Sequence, residues 1–193
     1  TSWGLHGIEF NETAALMGRA EGRNIETETM ETYDPKGKLF DLIIVNHLLE
    51  HLRDPFQTMQ RCFELLKPGG FIVGEVPNIR SVDFLLFGCY WGGCHWPRHL
   101  HQFTPSTLRA LFNKTGFRKT RLHYLLHTGH WALSVQNFIQ SQKRKSGPPR
   151  GGRAWYYPFL LLLFVLPNLI QKFAGLTGVL GFVARKHLKS PRV

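Results

Sequence analysis

The apolar positions of this chain fall into blocks that predict alternating strands and helices. Phe40–Asn46 (FDLIIVN) is a continuous run rich in β-branched residues, the pattern of a strand buried on both faces of a parallel sheet. Pro55–Leu66 follows with Phe56, Met59, Phe63 and Leu66 at the spacing of one helix face. Lys67-Pro68-Gly69-Gly70 ends that helix, and Phe71–Val76 predicts the next strand. Upstream, Leu5–Phe10 reads as a short strand carrying Glu9 near its end. Glu12–Glu21 reads as a helix stopped by Gly22, and Asn24–Met30 as a further strand. Residues 77–103 are irregular and rich in Gly, Trp and His. Thr104-Pro105-Ser106 opens a helix with proline at its first position; it runs to about Lys114 and stops at Gly116. Phe117–His123 predicts a strand and Trp131–Gln142 a helix. The alternation implies right-handed crossovers and an α/β fold: an open, mostly parallel sheet with helices on both faces.

The pattern changes after residue 142. KRKSGPPRGGR (143–153) is a basic, Pro/Gly-rich linker, and Ala154–Ala184 is interrupted by a single charge, Lys172. Residues 154–171 (AWYYPFLLLLFVLPNLIQ) are 18 uncharged positions, near the ~20 that span a bilayer. Pro158 and Pro167 break the run, and Trp155, Tyr156 and Tyr157 sit at one end, as in an interfacial belt. Basic clusters flank both ends, which suits a single span badly and a shallow re-entrant or interfacial hairpin better. The alternative is a soluble helical cap with this segment as its core.

Charge sharpens the contrast. Residues 1–83 hold 8 basic and 13 acidic side chains, a net −5; residues 84–193 hold 16 basic and no acidic ones, a net +16. A half without carboxylates seeks anions such as nucleic acid, anionic lipid head groups or phosphorylated substrates. Nucleic acid is the least supported of these: the half carries no recognised module, and Leu and Phe interleave its basic residues. Attraction of roughly 1 kcal/mol per basic residue near an anionic surface favours membrane contact over a purely soluble cap. Cys62, Cys89 and Cys94 form no even framework and read as reduced thiols of a cytoplasmic protein, peripheral to the inner face of the membrane if it binds one. The 193 residues suit one domain with a real core plus an appendage. The chain opens on Thr1 with neither a signal-peptide pattern nor a starting Met, which suggests a fragment or a processed product.

Two motifs bear on chemistry. His47–His51 (HLLEH) is an H-x-x-E-H string, the pattern of some zinc peptidases. Such a site needs a long helix and a downstream acidic ligand. Here a strand ends at Asn46, Pro55 follows soon after, and the later acids are few and end at Asp83. The second motif, CYWGGCHWPRHLHQF (89–103), gathers Cys89, Cys94, His95, His99 and His101, but C-x4-C-H-x3-H-x-H is not a standard zinc spacing. No metal is expected from either. The bland reading of the second is a loop packed by Trp91, Trp96 and Phe103; the functional one is a lid over an acceptor site.

FDLIIVNHLLEHLRDP…LLKPGGFIVGEVPN closely resembles the fourth-strand to fifth-strand segment of class I S-adenosylmethionine-dependent methyltransferases. Gly7-Ile8-Glu9 resembles that family's second strand, and PRHLHQFTPSTLRALFNKTGF (97–117) the segment after its fifth, in a subgroup tied to lipid, quinone or saccharide modification. The resemblance implies a Rossmann-like core over residues 1–123, incomplete at its N-terminus. It also implies a helical cap or membrane-contact segment over 124–177, and a last strand with a basic tail over 178–193, since GVLGFVARK resembles the family's final strand. It implies S-adenosylmethionine as cofactor, with Glu9 on the ribose, Thr29 and Met30 by the adenine, and Asn46 and His47 along the methionine moiety. Glu50 and His51 would hold the loop from behind. His99 or His101 would be the base, with Arg98 and Trp96 binding the acceptor. The implied reaction is methyl transfer, at oxygen, to a small-molecule, lipid-linked or saccharide acceptor. The family's glycine-rich turn after its first strand has no match here, so the alternative is a non-catalytic membrane- or partner-binding protein on a degenerate methyltransferase fold.

Overall fold

The computed structural model describes residues 3–143 and 153–187. The basic linker at 144–152 and the tail from 188 lie outside the described residues. The central prediction holds: β3 (Phe40–Asn46) leads through α2 (Pro55–Leu65) into β4 (Leu66–Pro77). Helix α2 starts where it does because Asp54 accepts a hydrogen bond from the Gln57 amide at 3.0 Å and Pro55 takes the first helical position. β3 and β4 are parallel, with Asn46 opposite Glu75, so their carboxyl ends share one edge of the sheet. Helix α4 (Pro105–Lys114) opens on a capping box between Thr104 and Thr107. It leads to β5 (Arg118–Leu125). The last strand, β6 (Val179–Arg185), inserts antiparallel between β4 and β5, giving the order β3-β4-β6-β5. Met59 and Cys62 of α2, Leu108 and Phe112 of α4, and Ile72 and Phe182 of the sheet form one core. Burial pushes the Cys62 thiol up to about 12, so it stays a protonated apolar group.

Two expectations about the sheet need correcting. The first part of the chain forms β1 (Gly7–Ile8), α1 (Glu12–Ala20) and β2 (Ile25–Glu26), and both strands are much shorter than predicted. They pair in parallel as a separate two-stranded sheet, and Leu5 and Phe10 lie exposed. Nor is β3 buried on both faces. The core packs against the side that carries Ile43 and Val45, whereas Ile44 on the other side is 61% exposed. Among the described residues no strand pairs with the outer edge of β3.

Four further α-helices complete the described residues. A short helix, α3 (Val82–Phe87), occupies part of the stretch expected to be irregular. Helix α5 (Thr128–Lys143) begins three residues earlier than its apolar spacing predicts. The uncharged run folds as α6 (Tyr157–Leu163) and α7 (Val165–Ala174), bent by 44°. No single described helix is long and apolar enough to cross a membrane. Helix α7 turns polar side chains inward, and the pair is apolar outward. Asn168 and Gln171 are buried, while Phe159, Leu162, Leu166, Ile170 and Phe173 are exposed, Phe173 at 84%. The buried amides are used: Asn168 Oδ1 accepts from the His127 amide at 2.9 Å, and Gln171 Oε1 from Trp131 Nε1 at 3.1 Å.

Candidate functional site

The carboxyl ends of β3 and β4 carry the side chains that matter, as expected of an open α/β sheet. His47 follows Asn46 directly with φ of +48°, a left-handed turn. Its amide donates to the Glu75 carbonyl at 2.9 Å, which ties the turn to the tip of β4. The His47 ring lies between two carboxylates, with Nδ1 3.1 Å from Glu50 Oε1 and Nε2 3.1 Å from Glu75 Oε1. Both nitrogens face carboxylate oxygens, an arrangement that favours the doubly protonated ring. The Glu50 hydrogen bond raises the His47 pKa above the ordinary value; burial opposes this and the two carboxylate charges add to it.

A short 3-10 turn, Leu49–His51, then buries Glu50 to 1% exposure. Glu50 divides its work. Oε1 meets His47, whereas Oε2 is buried with no hydrogen-bond partner among the described residues. Its carbonyl accepts from the amides of both Leu100 and His101, at 2.7 and 3.1 Å. His51 Nδ1 lies 3.1 Å from the Arg98 carbonyl and His101 Nε2 3.3 Å from that of Arg53. Four contacts therefore clamp residues 98–101 onto residues 50–53.

The other end of this loop is also anchored. Trp91 is fully buried, and its Nε1 donates to Asp83 Oδ2 at 2.7 Å. The Gly92 amide donates to Ser134 Oγ of α5 at 2.8 Å. Between the anchors His99 is driven inward to 5% exposure and hydrogen-bonds to the Gly93 backbone. Its ring meets that of His51 edge-on at 4.6 Å. Burial holds the His99 pKa below the ordinary histidine value, so the ring is neutral at pH 7. Its Nδ1 is buried with no hydrogen-bond partner among the described residues. One Glu50 oxygen and one nitrogen each from His51 and His99 lie within 4.8 Å of one another.

Asn46, His47, Glu50, His51, Arg98, His99 and His101 thus share one edge. Asn46 is exposed at the strand tip, and Arg98 and Trp96 are exposed on the loop. His101 has its Nε2 engaged by backbone. The remaining expected residues lie with the smaller sheet. The Glu9 amide continues the β1–β2 pairing, and its Oε1 accepts from the Asn11 amide at 2.8 Å. Thr29 sits in a turn beyond β2, hydrogen-bonded to Thr32, and Met30 packs against the core.

Two residues escaped the sequence reading. Glu75 was recoverable, because it ends the strand parallel to the one ending in Asn46. His127, at the start of α5, was not: its proximity to His47 and Glu75 depends on how β5 and α5 are placed, and burial lowers its pKa.

A family model described as a methyltransferase domain matches residues 4–122. A ubiquinone biosynthesis O-methyltransferase of Cereibacter sphaeroides is 31% identical over 148 residues, 69% of this chain and 60% of that protein. The chain therefore spans about 60% of the length of such curated relatives. A SAM-dependent methyltransferase of Thermotoga maritima shares the fold with a TM-score of 0.60 at 14% identity, over 94% of this chain and 73% of that one. The plantazolicin methyltransferase BpumL in complex with SAH aligns with a TM-score of 0.58 at 13% identity, over 95% and 66%. With its strand tips, its sheet order and a match over more than half its length in agreement, the chain belongs to the methyltransferase-domain family.

Proposed function

We propose that this chain is the core of an S-adenosylmethionine-dependent enzyme that methylates an oxygen of a small or lipid-linked acceptor at the cytoplasmic face of a membrane. The observation that carries the reading is the division of Glu50. One carboxylate oxygen fixes His47, on the side assigned to the cofactor's methionine end, and the same carboxylate lies with His51 and His99, on the side assigned to the acceptor, while its second oxygen is left unpaired among the described residues. The residues present fit one side of the cofactor. Glu9 offers a half-exposed carboxylate at a strand tip for a ribose diol, Thr29 and Met30 follow the next strand, and Asn46 presents an exposed amide. When bound, the cofactor supplies a methyl group on a sulfonium sulfur. The protein's part is alignment and management of the acceptor's proton. His47, held as imidazolium between Glu50 and Glu75, keeps the strand tips in register, and Arg98 and Trp96 border the acceptor. The O-methyltransferase name borne by relatives supports oxygen as the target atom.

The outward apolar face of α6 and α7 supports membrane contact. Seven large apolar side chains, among them Phe159, Leu163 and Phe173, are exposed there beside Arg153 and Lys172. The test is calorimetric titration of S-adenosylmethionine into this chain and into one extended upstream, each with a Glu9→Ala control, followed by a methylation assay on a hydrophobic phenol. Binding that Glu9→Ala abolishes is expected. Absence of binding in both chains refutes the enzyme and leaves the fold as a scaffold for surface attachment.

A further inference from the structure

The geometry points to a divalent transition-metal site of the zinc type at Glu50, His51 and His99. Three donor atoms, one from each residue, lie within 4.8 Å of one another. Two imidazoles and one carboxylate form a donor set that suits zinc and its neighbours and leaves coordination positions open.

Proximity alone does not make a site; the pattern of used and unused lone pairs does. Glu50 is 1% exposed, and its Oε2 has no partner among the described residues. His99 is 5% exposed, and its Nδ1 is likewise unpartnered. A buried polar atom left without a partner costs about 1–3 kcal/mol, and two of the three clustered side chains each carry one, which a shared ion would satisfy. Both rings are also set up as ligands. His51 uses Nδ1 against the Arg98 carbonyl, and His99 uses a backbone hydrogen bond at Gly93. Each keeps its second nitrogen available, the arrangement that fixes the tautomer of metal-binding histidines. Glu50 is oriented in the same way by His47 on its other oxygen. His51 is exposed, which gives an ion a way in.

This is not the peptidase arrangement the HLLEH string suggests. His47 has both ring nitrogens engaged by Glu50 and Glu75, and the third ligand is a histidine from the loop clamped over the turn. Where the methyltransferase reading holds, the open positions would take the acceptor oxygen, and its hydroxyl proton would pass to solvent more readily. That role rests on the proposed function; the site itself does not.

The experiment is titration of cobalt(II) into the 193-residue chain, read by its visible absorption, with zinc competition followed by calorimetry. No S-adenosylmethionine or acceptor is added, so failure of the enzyme reading leaves the result intact. One ion per chain, displaced by zinc, is expected. Glu50→Gln and His51→Ala should each weaken binding more than ~10-fold, and His95→Ala and Cys94→Ser should leave it unchanged. His51 is exposed, so its variant keeps the fold and carries the test should a change at buried His99 or Glu50 unfold the chain; circular dichroism checks this. The proposal is overturned by no saturable binding, by binding that survives both Glu50→Gln and His51→Ala, or by binding that depends on His95 or Cys94.

Discussion

The loop that carries His99 is held at its start by a tightly packed polar group, and Gly178→Ala tests that anchor. An added methyl at Gly178 would lie 2.5 Å from Asp83 Oδ2, 2.9 Å from His130 Nδ1 and 3.3 Å from Asp83 Cγ. None of these can yield cheaply. Asp83 is fully buried and bound to Trp91 Nε1 at 2.7 Å. His130 is 6% exposed and wedged between the rings of Trp91, at 5.3 Å, and His127, at 4.3 Å. Overpacking of this kind costs about 1–3 kcal/mol. Displacing Asp83 from Trp91 adds roughly 1–2 kcal/mol for a hydrogen bond to a buried carboxyl group. The smaller backbone entropy of alanine in the unfolded chain returns about 0.4–1 kcal/mol. The net is a loss of roughly 2–4 kcal/mol, or about 5–12 °C in Tm for a chain of this size. Thermal melting followed by circular dichroism measures it, with Gly4→Ala as the control because nothing lies within 4 Å of its added methyl. A double variant with Asp83→Ala tests the mechanism: once the carboxylate is gone, the added methyl should cost less than half as much. A neutral Gly178→Ala, or additivity in the double variant, refutes the packing argument.

Two further outcomes are expected. Burial holds His130 well below the ordinary histidine value and lowers His127 as well. The groups around His130 are His127, Asp83 and, at longer range, His47, His95 and His99. The unfolded chain takes up these protons near pH 6.5 and the folded chain only at lower pH, so stability falls as pH drops from about 6.5 towards the folded values. Asp83 and His47 act with the opposite sign, since burial raises the first pKa and the Glu50 hydrogen bond the second, and the folded state takes these protons first. Urea unfolding between pH 7.5 and 5 should therefore show a decline that His130→Gln flattens, and an unchanged slope in that variant would assign the decline elsewhere. On the surface, the triple variant Phe159→Ser, Leu163→Ser, Phe173→Ser should reduce co-sedimentation with phosphatidylserine-containing vesicles at least ~10-fold, because each side chain contributes about 1.5–3 kcal/mol when fully buried. Equal sedimentation of variant and parent would remove the membrane from the proposal.

The sequence carried the parts of this fold that are local. The β3–α2–β4 unit was legible because its strand and proline-started helix announce themselves over a few residues, although β4 begins at Leu66 and runs through the Lys67–Gly70 stretch that reads as a turn. The antiparallel β6 was expected only through resemblance, since its place between β4 and β5 is a matter of long-range pairing. The apolar run at 154–171 showed its composition but not its orientation. Helical spacing marks one face as different, yet it does not say which face turns inward, and here Asn168 and Gln171 do because α5 and the start of its helix offer Trp131 and His127 as partners.

The candidate site follows the same division. His47 and Glu50 were legible as a strand-tip pair, but assigning Glu50 and His51 a merely supporting role and His99 a separate one treated as independent three side chains that meet. His51 and Arg98, 47 residues apart, are joined ring to carbonyl, and the Glu50 carbonyl holds two amides of the same loop. Such a clamp uses backbone groups, which every residue possesses, and so leaves no mark in the sequence. Its consequence is what matters for function. The amide contacts to the Glu50 carbonyl and the ring contacts of His51 and His101 hold the loop without using the Nδ1 of His99 or the second oxygen of Glu50. Groups left unused in this way, buried and unpaired at the tip of a parallel sheet, are better explained by a ligand than by the fold.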